Sequence, residues 1–261
     1  MQAIIMTAGK GERLRSFTEW LPKTLLPIGG RPIIETLLTN LHRAGISQVV
    51  IIYGHLGEQL RRFLGDGSRY GMELIFREQT ERLGTAHAVM QAADLISAQD
   101  DAASSHIRSG ASSHVRSGVM VMAGDTAFSF EHIGGLVQFH RASGADASLS
   151  LKRLPIERLA ASSSVAIDAA GRITQIVEKP TPDTAPSDIA SAPLYIYPPS
   201  LADYLTRVGL SVRNEYELPD VITMMIDDGL KVMGKVEPVA PNLTTQRDLL
   251  RLNFDYLRAW L

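Results

Sequence analysis

The chain has 261 residues, 45% of them apolar and 21% charged, with 26 Lys and Arg against 28 Asp and Glu. This composition excludes a disordered chain, a coiled coil and a collagen-like repeat, and it lacks the basic excess of a dedicated nucleic-acid binder. With no cysteine, disulfides, thiolate catalysis and Cys-based metal sites are excluded as well.

In chain order, the apolar run at 3–6 opens into Thr-Ala-Gly-Lys-Gly, which predicts a buried strand followed by a glycine loop. Pro32 starts an amphipathic helical pattern that Gly45 ends, since Pro suits a first helical position and Gly a position past the last. The β-branched run at 48–53 predicts a strand, 56–64 a helix, 72–77 a strand, 85–96 a helix and 119–123 another strand. Strands alternating with helices predict an α/β fold with a parallel sheet wrapped by helices. In the second half, strand-like segments at 145–154, 164–168 and 172–180, with a turn at 169–171, predict an antiparallel lobe. A Pro-rich loop at 181–188, a strand at 194–197, a helix at 217–228, a strand at 230–236 and a helix from Thr245 complete the reading. The expectation is a single α/β domain over 1–261.

Residues 104–118 contain the near-duplicate SSHIRSG and SSHVRSG, inside a Ser- and Gly-rich insert at 97–118. Such composition predicts a solvated loop or disordered insertion, and His106 and His114 carry no metal or phosphate assignment. The basic residues at the N-terminus follow its apolar run, the reverse of a secretory signal. No stretch approaches the ~20 apolar residues of a membrane span, so a cytoplasmic protein without a membrane partner is expected.

The glycine loop is neither a dinucleotide fingerprint, because Leu14 stands at the third glycine, nor a P-loop, which needs G-x-x-x-x-G-K-[ST]. Its wider string, AGKGERLRSFTEWLPKTLLPI at 8–28, is more specific. That string resembles the signature of the sugar-1-phosphate nucleotidylyltransferases, A-G-x-G-x-R-L followed by P-K-x-L-L-P-[IV], with Ser16 where Pro is usual. GDGSRYG at 65–71, EQTERLGTAHAV at 78–89, AGDTAF at 123–128, VEKP at 177–180, NEYELPDVI at 214–222 and NLTTQRDLL at 242–250 resemble further motifs of that family, in its order.

The resemblance implies a Rossmann-like three-layer α/β/α sandwich with a predominantly parallel mixed sheet. It implies an enzyme that joins an NTP and a sugar 1-phosphate into a nucleotide-diphospho-sugar, releasing pyrophosphate, with Mg²⁺ as cofactor. Ala8, Gly9 and Gly11 would bring backbone N–H groups to phosphates, Arg13 would contact the β/γ-phosphates and Lys23 the α-phosphate. Gln79, Gly84 and Thr85 would bind the nucleotide at its base, and the Q-x-x-x-x-G-T form resembles the uridylyl and thymidylyl branches, hence UTP or dTTP. Asp125 and Asn242 would hold the metal, Glu178 the sugar hydroxyls and Lys179 its phosphate. Chemistry of this kind needs positioning and electrostatics more than a general base, because the attacking phosphate oxygen is already ionised.

Two departures fall on the sugar side: Ser191-Ala192-Pro193 where the family has N-x-G or T-G, and Ser163-Ser164 where it often has glycine. They leave the sugar open. The alternatives are a guanylyl- or adenylyl-transferring branch, or a nucleotide-sugar sensor without turnover. A homo-oligomer is also left open. Deleting 104–117 is expected to leave Tm and turnover nearly unchanged, because a polar duplicated segment buries little apolar surface; differential scanning calorimetry and a rate assay check this.

Overall fold

The structure, a computed structural model, describes residues 1–96 and 118–258. Residues 97–117 of the predicted insert, with both of its histidines, lie outside the described residues. A central sheet runs in the order β11-β7-β10-β6-β1-β4-β5. Its core strands are β1 (Gln2–Met6), β4 (Gln48–Tyr53), β5 (Glu73–Glu78) and β6 (Val119–Ala123), paired in parallel. β10 (Ile189–Tyr197) is antiparallel to β6 and to β7 (Ala147–Arg153), and β11 (Val232–Val236) returns parallel to β7. β8 (Ser163–Ile167) and β9 (Ile173–Glu178) form an antiparallel hairpin attached to β10. This is the expected mixed, mostly parallel sheet with an antiparallel lobe.

β1, β4 and β6 are apolar on both faces, and alternate residues serve opposite layers, as a period of two requires. Ile4, Val50, Ile52 and Val121 face α4 (Thr85–Met90), α6 (Leu201–Arg207) and α7 (Leu218–Asp227). Ala3, Ile5, Val49, Ile51, Met120 and Met122 face α2 (Ile33–Arg43), α3 (Gly57–Leu64) and α5 (Phe130–Ser143). The C-terminal helix α8 (Gln246–Arg258) lies over the small hairpin of β2 (Pro27–Ile28) and β3 (Arg31–Pro32), where Asn253 donates to the Pro27 carbonyl at 2.9 Å. Among the described residues no helix is long and apolar enough to cross a membrane.

Several local expectations shift. Pro32 closes the β2–β3 hairpin and precedes the helix, which starts at Ile33. The helix expected over 85–96 is interrupted by a turn at 91–92. The strand expected from Leu194 begins at Ile189; Pro193 lies within a register shift between Ser191 and Tyr195, and such an irregularity is what admits a proline to a strand. Helices α5 and α6 had no sequence assignment.

Candidate active site

Every parallel core strand ends at the same edge of the sheet, and the loops that follow them build the site, as open α/β sheets require. Gly124 donates to the carbonyl of Met6 at 2.9 Å, which ties the loop after β6 to the loop after β1. Gly11, at φ +65, ends the glycine loop; its carbonyl accepts from Leu14 N at 2.8 Å and Thr18 Oγ1 at 2.9 Å, starting the short turn Glu12–Leu14. Lys23 follows on the next such turn, Lys23–Leu25, and its ammonium donates to Asp125 Oδ2 at 2.6 Å. The Lys23 side chain is 15% exposed and that of Asp125 32%, so the pair is partly shielded but open on one side.

That open side is a cavity of about 230 Å³ lined by Ala8, Gly9, Gly11, Lys23, Gln79, Gly84, Thr85 and Asp125. Eight residues expected from the sequence to bind nucleotide or metal thus share one wall. Thr24 lines the cavity too, and its buried hydroxyl has no hydrogen-bond partner among the described residues. Of the other two, Asn242 lines the neighbouring cavity, and Arg13 is exposed on the turn beside Gly11 and lines neither cavity.

The base-side segment is held by the backbone of Tyr216, which donates to Leu83 O at 2.7 Å and accepts from Ala86 N at 2.9 Å. Gly84 makes this possible. Its φ of +113 with extended ψ is a region essentially confined to glycine, and a Cβ there would lie 2.3 Å from the Tyr216 carbonyl oxygen. The close approach that Gly84 permits is therefore to the protein's own backbone. Gln79 is buried, and its Nε2 donates to the Gly84 carbonyl at 3.2 Å and contacts His87 Nδ1 at 3.1 Å. A carbonyl only accepts, so the amide nitrogen must face Gly84, leaving Gln79 Oε1 as an acceptor without a partner among the described residues. His87, stacked on Tyr216, orients Gln79.

A second cavity of about 240 Å³ adjoins the first, sharing Met6 and Thr85, and contains Glu178, Lys179 and Asn242. Lys179 sits at φ +45, left-handed backbone that costs a non-glycine residue about 1–3 kcal/mol, and its N–H is fixed to the Ser162 carbonyl at 2.9 Å. Glu178 accepts from Ser163 Oγ and lies 3.9 Å from Lys179 Nζ. Tyr195, a buried phenol in the same wall, is pushed up to about 12 by burial and stays a neutral donor. The sequence reading missed Glu217 and Arg213. Glu217, 3% exposed, lines the cavity and pairs with both Arg213 Nε, at 3.0 Å, and Nη2; Arg213 Nη1 also reaches the Glu178 carbonyl at 3.4 Å. An Arg four residues before a Glu was the available signal.

Asn242 meets Asp125 through the chain itself. Thr126 and Asn242 form an antiparallel bridge, Leu243 N donates to Asp125 O at 3.1 Å, and Ala127 N donates to Pro241 O at 2.8 Å. Asn242 Nδ2 donates to Thr126 Oγ1 at 2.7 Å, and its Oδ1 accepts from Thr244 Oγ1 at 2.6 Å. The donor set is one carboxylate and one neutral carbonyl oxygen, each with lone pairs to spare. It fits Mg²⁺, which takes one or two protein oxygens and completes its shell with phosphates and water.

The family profile described as nucleotidyl transferase matches residues 2–240. A UTP–glucose-1-phosphate uridylyltransferase of Synechocystis is 28% identical over 88% of this chain and 56% of its own length. A glucose-1-phosphate thymidylyltransferase of Streptomyces griseus is 29% identical over 90% of this chain and 60% of its own. The chain therefore spans less than two thirds of these relatives. A solved UDP-glucose pyrophosphorylase in complex with UDP-glucose superposes with a TM-score of 0.79 at 16% identity, covering 99% of this chain and 98% of that one, a likeness of fold.

Gly84→Ala is expected to destabilise the protein by about 1–3 kcal/mol or more, because the new methyl meets the Tyr216 carbonyl in a backbone region closed to alanine. Urea unfolding measures it, and an unchanged midpoint would contradict the geometry.

Proposed function

The chain belongs to the nucleotidyl transferase family, in its sugar-1-phosphate branch, and on that premise we propose that it transfers UMP or dTMP from UTP or dTTP to a sugar 1-phosphate. A phosphate oxygen of the sugar bonds to the α-phosphorus, the bond from that phosphorus to the β-bridging oxygen breaks, and pyrophosphate leaves with the electron pair. The observation that carries this reading is the Lys23–Asp125 contact in the wall of one cavity, beside a second cavity that shares Met6 and Thr85 with it.

In this reading the backbone at Ala8, Gly9 and Gly11 receives the NTP phosphates. Lys23 offers its ammonium to the α-phosphate, and exposed Arg13 swings onto the β/γ-phosphates. The free Oε1 of Gln79 suits the N3–H of uracil or thymine, with Gly84 and Thr85 beneath the base. In the second cavity Lys179 takes the sugar phosphate, and Glu178 with the serine hydroxyls of the wall takes ring hydroxyls. Mg²⁺, when held by Asp125 and Asn242, supplies charge neutralisation between the two polyanions. Residues 1–261 act as one catalytic unit, working in the cytoplasm, where NTPs are made.

The decisive experiment is a pyrophosphate-release screen of NTPs against sugar 1-phosphates, with turnover expected for UTP or dTTP. Turnover confined to GTP or ATP would refute the base assignment, and nucleotide-sugar binding without any release would favour a sensor.

Lys179→Ala should raise KM for sugar 1-phosphate roughly 10- to 150-fold with little change for the NTP, the worth of one charge-assisted hydrogen bond. An equal rise for both substrates would remove Lys179 from the sugar side. Asp125→Asn keeps shape and one carbonyl oxygen but loses the charge. It should slow turnover by about 10²–10³-fold and demand more Mg²⁺ for half-maximal rate. Near-wild-type turnover at low Mg²⁺ would mean that Asp125 only orders its loop.

A further inference from the structure

The cavity on the sugar side holds a cation that the reading so far leaves idle. Lys152 lies near the end of β7, opposite Ala190 of β10, and lines the same wall as Glu178, Lys179 and Asn242. Three neighbouring cations have carboxylate partners: Lys179 lies 3.9 Å from Glu178, Arg213 is bound to Glu217, and Arg153 is 2.8 Å from Asp188. The Lys152 ammonium has neither a hydrogen bond nor an ion pair among the described residues, although the residue is only partly exposed. Burial holds its ammonium below the usual lysine range, against the pull of Asp125, and the nearby charge of Arg158 adds to the depression. A half-buried cation without a partner is a cost to the folded protein, which an anionic ligand removes. The same wall carries Lys179, several hydroxyls and the carboxylates of Glu178, Glu215 and Glu217, none of which forms an ion pair with Lys152.

We propose that Lys152 is a phosphate-binding residue of the sugar cavity, holding the 1-phosphate of the incoming sugar from the β7 wall while Lys179 holds it from the end of β9. Two cations on one phosphate orient as well as attract: a single ammonium lets the phosphate rotate, whereas two placed apart fix which oxygen faces the nucleotide. The proposal rests on the reading of this cavity as the sugar phosphate site.

Two variants and two measurements test it. Lys152→Met keeps the apolar stem and removes the charge; Lys152→Arg keeps the charge. With the substrate pair found by pyrophosphate release, Lys152→Met is expected to raise KM for sugar 1-phosphate about 10- to 100-fold, to leave KM for the NTP little changed, and to be largely rescued by Arg. Its Tm without ligand should equal or exceed that of the wild type, because an unpaired charge has been removed. An unchanged sugar KM, or an equal rise for both substrates, would overturn the proposal. Titration of Tm with inorganic phosphate needs no turnover and separates this inference from the reading beneath it. The wild type should be stabilised with saturation, and Lys152→Met should need at least about tenfold more phosphate. If no substrate pair turns over yet this difference appears, the transferase reading fails and the phosphate site stands. If wild type and Lys152→Met respond alike, or neither responds, Lys152 does not bind phosphate.

Discussion

The contact between Lys23 and Asp125 organises the rest of the molecule. Two polyanions cannot approach unless positive charge waits where they meet, and a lysine alone in a loop would turn toward solvent. Asp125 holds the ammonium at 2.6 Å, at the carboxyl edge of the sheet. The pairing of β1 with β6 brings together segments a hundred residues apart, and the bond from Gly124 to Met6 locks their loops in step. In the proposed reaction that charge would be in position before a substrate arrives, with little reorganisation needed.

The segment before α7 joins the two cavities. Tyr216 grips Gly84 and the start of α4 through its backbone, and Leu218 N donates to Thr85 Oγ1 at 3.1 Å. The next side chain, Glu217, forms part of the wall of the second cavity and holds Arg213 against the Glu178 carbonyl. A displacement of this short segment would disturb both cavities together, so the two share one structural support.

The sheet and most of the residues that line the first cavity were legible in the sequence. The run QVVIIY matched its strand end to end, because a strand buried on both faces writes an unbroken apolar segment bounded by polar residues. The string over 8–28 predicted a phosphate loop with its cations, and of the site residues expected in it Ala8, Gly9, Gly11 and Lys23 line one wall while Arg13 does not. Helix α5 was not legible: two consecutive glycines, Gly134 and Gly135, dilute its pattern, and packing on the sheet supplies the stability that propensity withholds.

What the sequence determined by itself was local and chemical: which segments are buried strands, where glycine must bend the chain, and which ionisable groups accompany a phosphate loop. These properties depend on neighbours along the chain, where the signal lies. Tertiary structure alone decided which charges are spent and which remain available. Arg213 is paired with the buried Glu217, Lys23 is held by Asp125 with one side open to the cavity, and Lys152 has no ion pair among the described residues, though all are plain basic residues in the sequence. The zipper that sets Asn242 beside Asp125 and the approach of Tyr216 to Gly84 were equally hidden. Charge pairing and backbone clearance act through distances of a few ångströms in space, and only the completed fold sets those distances.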